Sequence, residues 1–207
     1  MPPPFIAWLR SPSPQQIGRV KALLFVVCLI PVSLLAWRFW HDDLGANPIE
    51  YITRATGEWT LRFLLITLTV TPFRRFTNLN WVLRLRRMLG LYAFFYCCLH
   101  LTTYLWLDQF FDWRSIFADI MKRPFITIGF AAFVGMLPLA ITSTNAMIKR
   151  LGGKRWLWLH RLVYPVAVAG VIHFWWLVKR DIREPLLYAV ILGLLLGARR
   201  VRTRQTA

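Results

Sequence analysis

The chain has little acid: 9 Asp and Glu stand against 26 Lys and Arg in 207 residues, for a formal net charge of +17. Charge of either sign is scarce, at 17%, where soluble domains carry about a quarter. Cysteine is scarce too. Cys28, Cys97 and Cys98 all fall inside apolar stretches; an odd number without a CxxC pair offers no disulfide framework, and they read as small core residues. The glycines form no GxGxxG and no P-loop, which excludes the common dinucleotide and ATP cradles. There is also no internal repeat, low-complexity tract or linker of useful length.

What the chain has is apolar surface. Hydrophobic residues make up 57% and the mean hydropathy is +0.47, which argues against a soluble domain. So basic a chain invites a nucleic-acid reading, but the basic residues sit between long apolar runs instead of lining one face, so no nucleic-acid partner is expected. In a membrane protein such clusters set topology and meet anionic lipid.

A helical span needs about 20 mostly apolar residues. Val20–Trp40 (with Pro31 as a tolerable kink), Leu89–Leu107, Pro124–Thr142 and Trp156–Val178 qualify. Trp59–Phe73 is weaker, holding Arg62 and four threonines, and Pro185–Gly197 is short; thinning and snorkelling accommodate both. The first run lacks a small-residue cleavage site and reads as a retained helix, not a signal peptide. Charge decides the count. With six spans and both termini inside, the inner segments hold sixteen basic residues and no acid: Arg10, Arg19, Lys21, Arg74, Arg75, Arg84, Arg86, Arg87, Lys149, Arg150, Lys154, Arg155, Arg199, Arg200, Arg202 and Arg204. All nine acids fall outside, together with Arg38, Arg54, Arg114, Lys122, Arg123, Lys179, Arg180 and Arg183. That asymmetry is the positive-inside signature. The fold expected is all-α integral membrane, a six-transmembrane-helix bundle with both termini cytoplasmic. Residues 1–19 form a cytoplasmic N-terminal segment, 20–198 the transmembrane domain and 199–207 a basic cytoplasmic tail.

Ligand-capable side chains inside a span are functional hypotheses, because polar groups there are expensive. Of four histidines, His41 follows the first span beside Asp42 and Asp43 and reads as a solvated loop residue. His100 lies eight residues before Asp108 in the third span, and His173 six before Lys179 in the fifth. Those spans run the same way, so the two sit within about 3 Å of one depth. Two imidazoles at one level on neighbouring helices suit the axial positions of a single haem iron. Ala169 and Gly170, one turn before His173, are small enough to admit a macrocycle. The competing reading is a pair of satisfied interhelical histidines.

His160 lies thirteen residues before His173, about 20 Å lower on a continuous helix and aimed away from it. Pro165 between them supplies a kink. At the matching depth the third span offers Arg86, Arg87 and Met88, not a second histidine. His160 is thus a ligand candidate for a second haem without a visible partner, or an interfacial polar residue beside Trp156 and Arg161. Arg86, Arg87, Lys154, Arg155 and Arg161 suit haem propionates, though topology already accounts for them. Cys97-Cys98-Leu99-His100 lacks the CxxCH spacing of covalent attachment, so a b-type haem is expected, one or two per chain.

TPFRR (71–75), RRMLGLYAFFYCCLH (86–100) and GGKRWLWLHRLVYP (152–165) followed by His173 resemble the haem-binding membrane subunit of the bacterial protein-methionine-sulfoxide reductase system. That family lies in the ferric-reductase-like transmembrane group, and the resemblance covers about residues 48–200. It implies a multi-pass protein of the bacterial inner membrane with b-type haem on the matching histidines, His100, His160 and His173. It further implies flavin mononucleotide (FMN), electron supply from the quinone pool, and a periplasmic molybdenum-containing partner that reduces methionine sulfoxide in oxidised proteins. The chain would then be an electron-transfer subunit, the catalytic reduction lying on the partner. Lacking a nucleotide-binding motif, it would take electrons from a quinol or another protein. The rivals are a stand-alone ferric or quinone reductase of the same fold, and a non-redox transporter or assembly factor.

Overall fold

The computed structural model describes residues 11–178 and 181–200. Arg10, Lys179, Arg180, Arg202 and Arg204, counted above, lie outside the described residues. Among these residues every regular element is helical. Helix α1 (Pro14–Trp40) opens with a capping box: Ser13 Oγ accepts from the Gln16 N–H at 3.3 Å, while Gln16 Oε1 accepts from the Ser13 N–H at 2.7 Å. Two backbone donors are satisfied reciprocally, and Pro14 at the first position loses nothing by lacking an N–H. Helix α2 (Pro48–Thr77) is capped by Asn47 and ends on Asn78 in the left-handed region at φ 59°. A 3₁₀ segment (Asn80–Leu85) leads into α3 (Arg86–Thr102), which passes into a π segment (Thr103–Asp108).

The connection that follows holds α4 (Trp113–Lys122), and then come α5 (Pro124–Ile141) and a short α6 (Asn145–Leu151). Asp112 caps α4, and hydrogen bonds from Ser115 hold its carboxyl below the usual carboxylate range. Ile116 is buried while Trp113, Phe117 and Met121 stand exposed, the pattern of a helix lying in the interface. The chain continues through α7 (Gly153–Leu159), a 3₁₀ turn (His160–Leu162), α8 (Val163–Leu177) and α9 (Arg183–Arg200).

Two antiparallel pairs organise the bundle, α2 with α3 and α5 with α8; α9 packs on α8 and α2. The core lies between them. Phe63 of α2 stacks on Tyr92 and Tyr96 of α3, with ring centroids 5.7 and 5.2 Å apart, and Ala93 and Ala167 are fully buried. The outer surface of the bundle is apolar: Leu23, Phe25, Val26, Ile30 and Leu34 of α1 are all exposed, which suits lipid and would be a liability in water.

Four helical rods are long and apolar enough to cross a membrane: Pro14–Trp40, Asn80–Asp108, Pro124–Ile141 and Gly153–Leu177. α2 and α9 form two further rods that fall short by composition. The polar content of α2 is nonetheless largely satisfied within the protein. Thr60, Thr67 and Thr69 donate to the carbonyls of Thr56, Phe63 and Leu65 one turn back, a habit that spares a hydroxyl from facing hydrocarbon. Thr71 Oγ1 alone among the four is buried without a partner. The Arg62 guanidinium meets Glu58 at 2.8 Å and the Tyr188 hydroxyl at 2.9 Å, and lies over the Trp59 ring.

Pro31 does not break α1. Its missing N–H and its ring disturb the ladder one turn back, and a side chain of α3 enters the disturbed turn. The Tyr96 hydroxyl accepts from the Val32 N–H at 3.2 Å and donates to the Cys28 carbonyl at 2.8 Å. Tyr92, one turn earlier, donates to the Phe25 carbonyl at 2.8 Å. Two hydroxyls thus tie α1 to α3 through main-chain atoms. Tyr96→Phe leaves those two backbone groups of α1 without the bridging hydroxyl, and should lower stability by about 1–3 kcal/mol. A fall in the thermal midpoint in detergent checks this, with cofactor content per folded chain unchanged.

Candidate functional site

His100 closes the last turns of α3, just before the π segment, and His173 stands near the end of α8. The equal depth read from sequence is realised as proximity: the ring centroids are 6.1 Å apart and the planes are inclined by 76°. Neither ring leans on its own helix. His100 Nδ1 lies 2.9 Å from the Thr53 carbonyl of α2, and His173 Nδ1 2.6 Å from the Phe125 carbonyl of α5. Each histidine is therefore held by the other member of its own helix pair, and the two rings meet at the seam between the pairs.

A carbonyl only accepts, so each Nδ1 must carry the proton that it shares. That fixes the tautomer and leaves Nε2 as a bare lone pair on both rings. An N–H to a carbonyl on the far side of the ring is also what orients and strengthens a metal-ligating imidazole. The spacing permits a direct test of fit. Two imidazoles on one metal, each with a metal–nitrogen bond of about 2 Å, place their ring centres roughly 6 Å apart. The observed separation of 6.1 Å is compatible with that spacing. Among the described residues no group of three or more His, Cys, Asp or Glu side chains could hold a metal ion.

His160 is placed elsewhere. It opens the 3₁₀ turn between α7 and α8, its ring stacks on Trp156 at 3.9 Å, and its Nε2 is 3.0 Å from Thr142 Oγ1. Thr142 has one hydroxyl proton, and it goes to the Pro138 carbonyl at 2.6 Å. The oxygen therefore accepts from His160, which is protonated on Nε2 and keeps its lone pair on Nδ1. Trp156 Nε1 completes the cluster by donating to the Thr142 carbonyl at 2.9 Å. Arg86 and Arg87 lie within electrostatic reach of His160.

Two sequence expectations need correction. The rotation counted along one continuous helix from His160 to His173 does not apply, because the 3₁₀ turn interrupts it. Pro165 falls in the first turn of α8, where its absent N–H is no loss, so it marks the restart of the helix and not a bend within it. Gly170 faces α2: a Cβ there would lie in ordinary contact with Leu61 Cδ1 at 3.6 Å. His41 is the exposed solvated residue expected, capping α1 and stacked on Trp37. The carbonyls of Thr53 and Phe125 were invisible to sequence reasoning, since every residue carries one.

Near the C-terminal end of α9, Arg199 reaches the Leu68 carbonyl and the Tyr164 hydroxyl, each at 2.5 Å. Its Nε is buried and without a partner, and Arg86 is near enough to repel it.

Residues 56–171 match the family described as the ferric reductase like transmembrane component; the match includes His100 and His160 and stops two residues before His173. The chain is 57% identical over 190 residues to the protein-methionine-sulfoxide reductase heme-binding subunit MsrQ of Herminiimonas arsenicoxydans, covering 91% of this chain and 87% of that protein. The protein of the same name from Azospira oryzae is 57% identical over 190 residues, covering 91% and 82%. That from Rhodospirillum rubrum is 56% identical over 186 residues, covering 90% and 88%.

Proposed function

This chain belongs to the protein-methionine-sulfoxide reductase heme-binding subunit family, within the ferric-reductase-like transmembrane group, and from that premise we propose that it holds b-type haem on His100 and His173 and passes electrons outward through the bilayer. The observation that carries the reading is the histidine pair itself: 6.1 Å between ring centres, with both Nδ1 atoms committed to carbonyls and both Nε2 atoms left to bind iron. Haem, when bound, supplies a one-electron couple whose potential is set by axial ligands and burial. The protein's part is to orient. Thr53 and Phe125 hold the two Nδ1–H groups.

In this proposal the chain is a six-span protein of the bacterial inner membrane with both termini cytoplasmic. It draws electrons from the quinone pool and delivers them to a periplasmic molybdenum-containing reductase of methionine sulfoxide. His160 is a second haem ligand, through Nδ1 in the arrangement described. The phosphate of FMN suits the inner end, where Arg86 and Arg199 approach each other and Arg199 Nε has no partner; guanidinium groups pair well with phosphate oxygens. Arg199→Gln should then lower the flavin retained after purification several-fold, measured by fluorescence of released flavin.

A redox titration of the purified protein, with haem and flavin counted per polypeptide, tests the whole reading. A Soret band and at least one haem per chain reducible by a quinol are expected. A colourless protein from haem-replete cells would overturn it. His160→Ala should leave the spectrum of the His100/His173 centre intact and remove only a second haem component, which haem stoichiometry before and after will show.

A further inference from the structure

Isolated glycines within helices cost about 1 kcal/mol each relative to alanine, so each asks for a reason. At Gly18, Gly153, Gly193 and Gly197 a Cβ would meet nothing within 4 Å, so no packing contact there calls for glycine. Gly57 and Gly129 differ. A Cβ on Gly57 would come within 3.1 Å of both Cε1 and Nδ1 of His100. A Cβ on Gly129 would lie 2.7 Å from Nδ1, 2.8 Å from Cε1 and 3.2 Å from Cγ of His173. The two glycines sit on α2 and α5, the helices that supply the carbonyls for those same rings.

The register repeats as well. Thr53, acceptor for His100, is four residues before Gly57; Phe125, acceptor for His173, is four before Gly129. In an α-helix the carbonyl at i−4 lies directly beneath the N–H of residue i. The same construction therefore occurs twice: a glycine leaves a notch, an imidazole enters it, and the ring reaches the carbonyl one turn back. Any side chain at the notch stands between the ring and its acceptor. The crowding atoms include Cγ of His173, at the root of the ring, so the whole imidazole would have to move.

We propose that Gly57 and Gly129 are paired positioning residues that seat His100 and His173 against the Thr53 and Phe125 carbonyls and so set the tautomer and aim of both ligands. The inference rests on the reading of those histidines as haem ligands. It predicts a graded effect, because 2.7 Å is a contact Cβ atoms do not make whereas 3.1 Å asks for a shift of a few tenths of an ångström. Gly129→Ala should weaken haem affinity by about 10- to 100-fold, the usual effect of losing a group that orients a metal-ligating histidine; Gly57→Ala should do the same to a smaller degree.

The test uses the full-length protein in detergent and compares Gly57→Ala, Gly129→Ala and Gly135→Ala. Gly135 is the control, since a Cβ there would clash with Val166 Cγ2 at 2.7 Å, an equal crowding on the same helix with no histidine involved. Readouts are haem per polypeptide, the electron paramagnetic resonance signature of the ferric low-spin centre, its midpoint potential and the thermal midpoint. The expected result is a changed low-spin signature and potential in Gly129→Ala and Gly57→Ala. Gly135→Ala should lose thermal stability yet keep the wild-type signature in the protein that survives. If Gly129→Ala fails to fold, the milder Gly57→Ala carries the same comparison. Wild-type signature and potential in both histidine-facing variants would overturn the proposal, as would an equal spectral change in Gly135→Ala. His100→Ala and His173→Ala made alongside separate the two failures: if they keep the low-spin haem, the ligand reading has failed; if they lose it while the glycine variants do not, only the seating has.

Discussion

His100→Ala and His173→Ala are each expected to abolish the low-spin spectrum of the centre those two histidines share and to remove that haem from the chain. The two rings come from different helix pairs, so removal of one leaves the other without a partner across the seam, and no third histidine is near enough to replace it. His160 is committed to Thr142 and Trp156, and His41 is exposed on the end of α1. The loss should not reflect collapse of the bundle. Thr53 and Phe125 lie within helices, so each carbonyl keeps its ordinary helical acceptor role when the imidazole is gone. Near-normal detergent behaviour and helix content should therefore accompany the loss of that haem. A wild-type spectrum with unchanged haem per chain in both variants would remove the basis of the proposed function.

Glu58→Ala is expected to have the second large effect, and it bears on whether α2 crosses the membrane. Glu58 and Arg62 form a 2.8 Å ion pair whose side chains are 21% and 37% exposed. Exposed to water, such a pair is worth less than about 1 kcal/mol. Exposed to lipid, Arg62 without its carboxylate costs about 2.5–3.5 kcal/mol at the centre of a span, and less toward its end. If α2 is a span, Glu58→Ala should lower the folded yield sharply, and adding Arg62→Leu should restore most of it. The Tyr188 hydroxyl remains to Arg62 in the single variant, but a neutral acceptor cannot replace the charge. A fall no larger than that of a surface pair, with no rescue in the double variant, would place this end of α2 in water.

Much of the site was legible because depth along a helix is a local quantity. Counting residues from Asp108 and Lys179 placed His100 and His173 at one level, and their rings do meet. The rotation counted for His160 did not carry over, because a 3₁₀ turn of three residues interrupts the helix and nothing in His160–Leu162 announces it. Tyr96 was also hidden. Its hydroxyl occupies the turn disturbed by Pro31, yet the two lie 65 positions apart in the sequence, and only the packing of α1 on α3 joins them. Gly57 and Gly129 left a faint signal as lone glycines inside helices, but the signal names no neighbour.

By itself the sequence determined that this is a helical membrane chain with histidines at matched depth. Apolar run length, residue counts and the segregation of all nine acids from the main basic clusters are properties of the chain, and rise per residue converts residue counts to depth without knowledge of the neighbours. The tertiary structure alone decided which way each histidine turns and what holds it there. Rotation about a helix axis is set by packing against other helices, so it took the pairing of α2 with α3 and of α5 with α8 to put the Thr53 and Phe125 carbonyls behind the two rings. With Nδ1 donating to those carbonyls, Nε2 is left unprotonated on both rings.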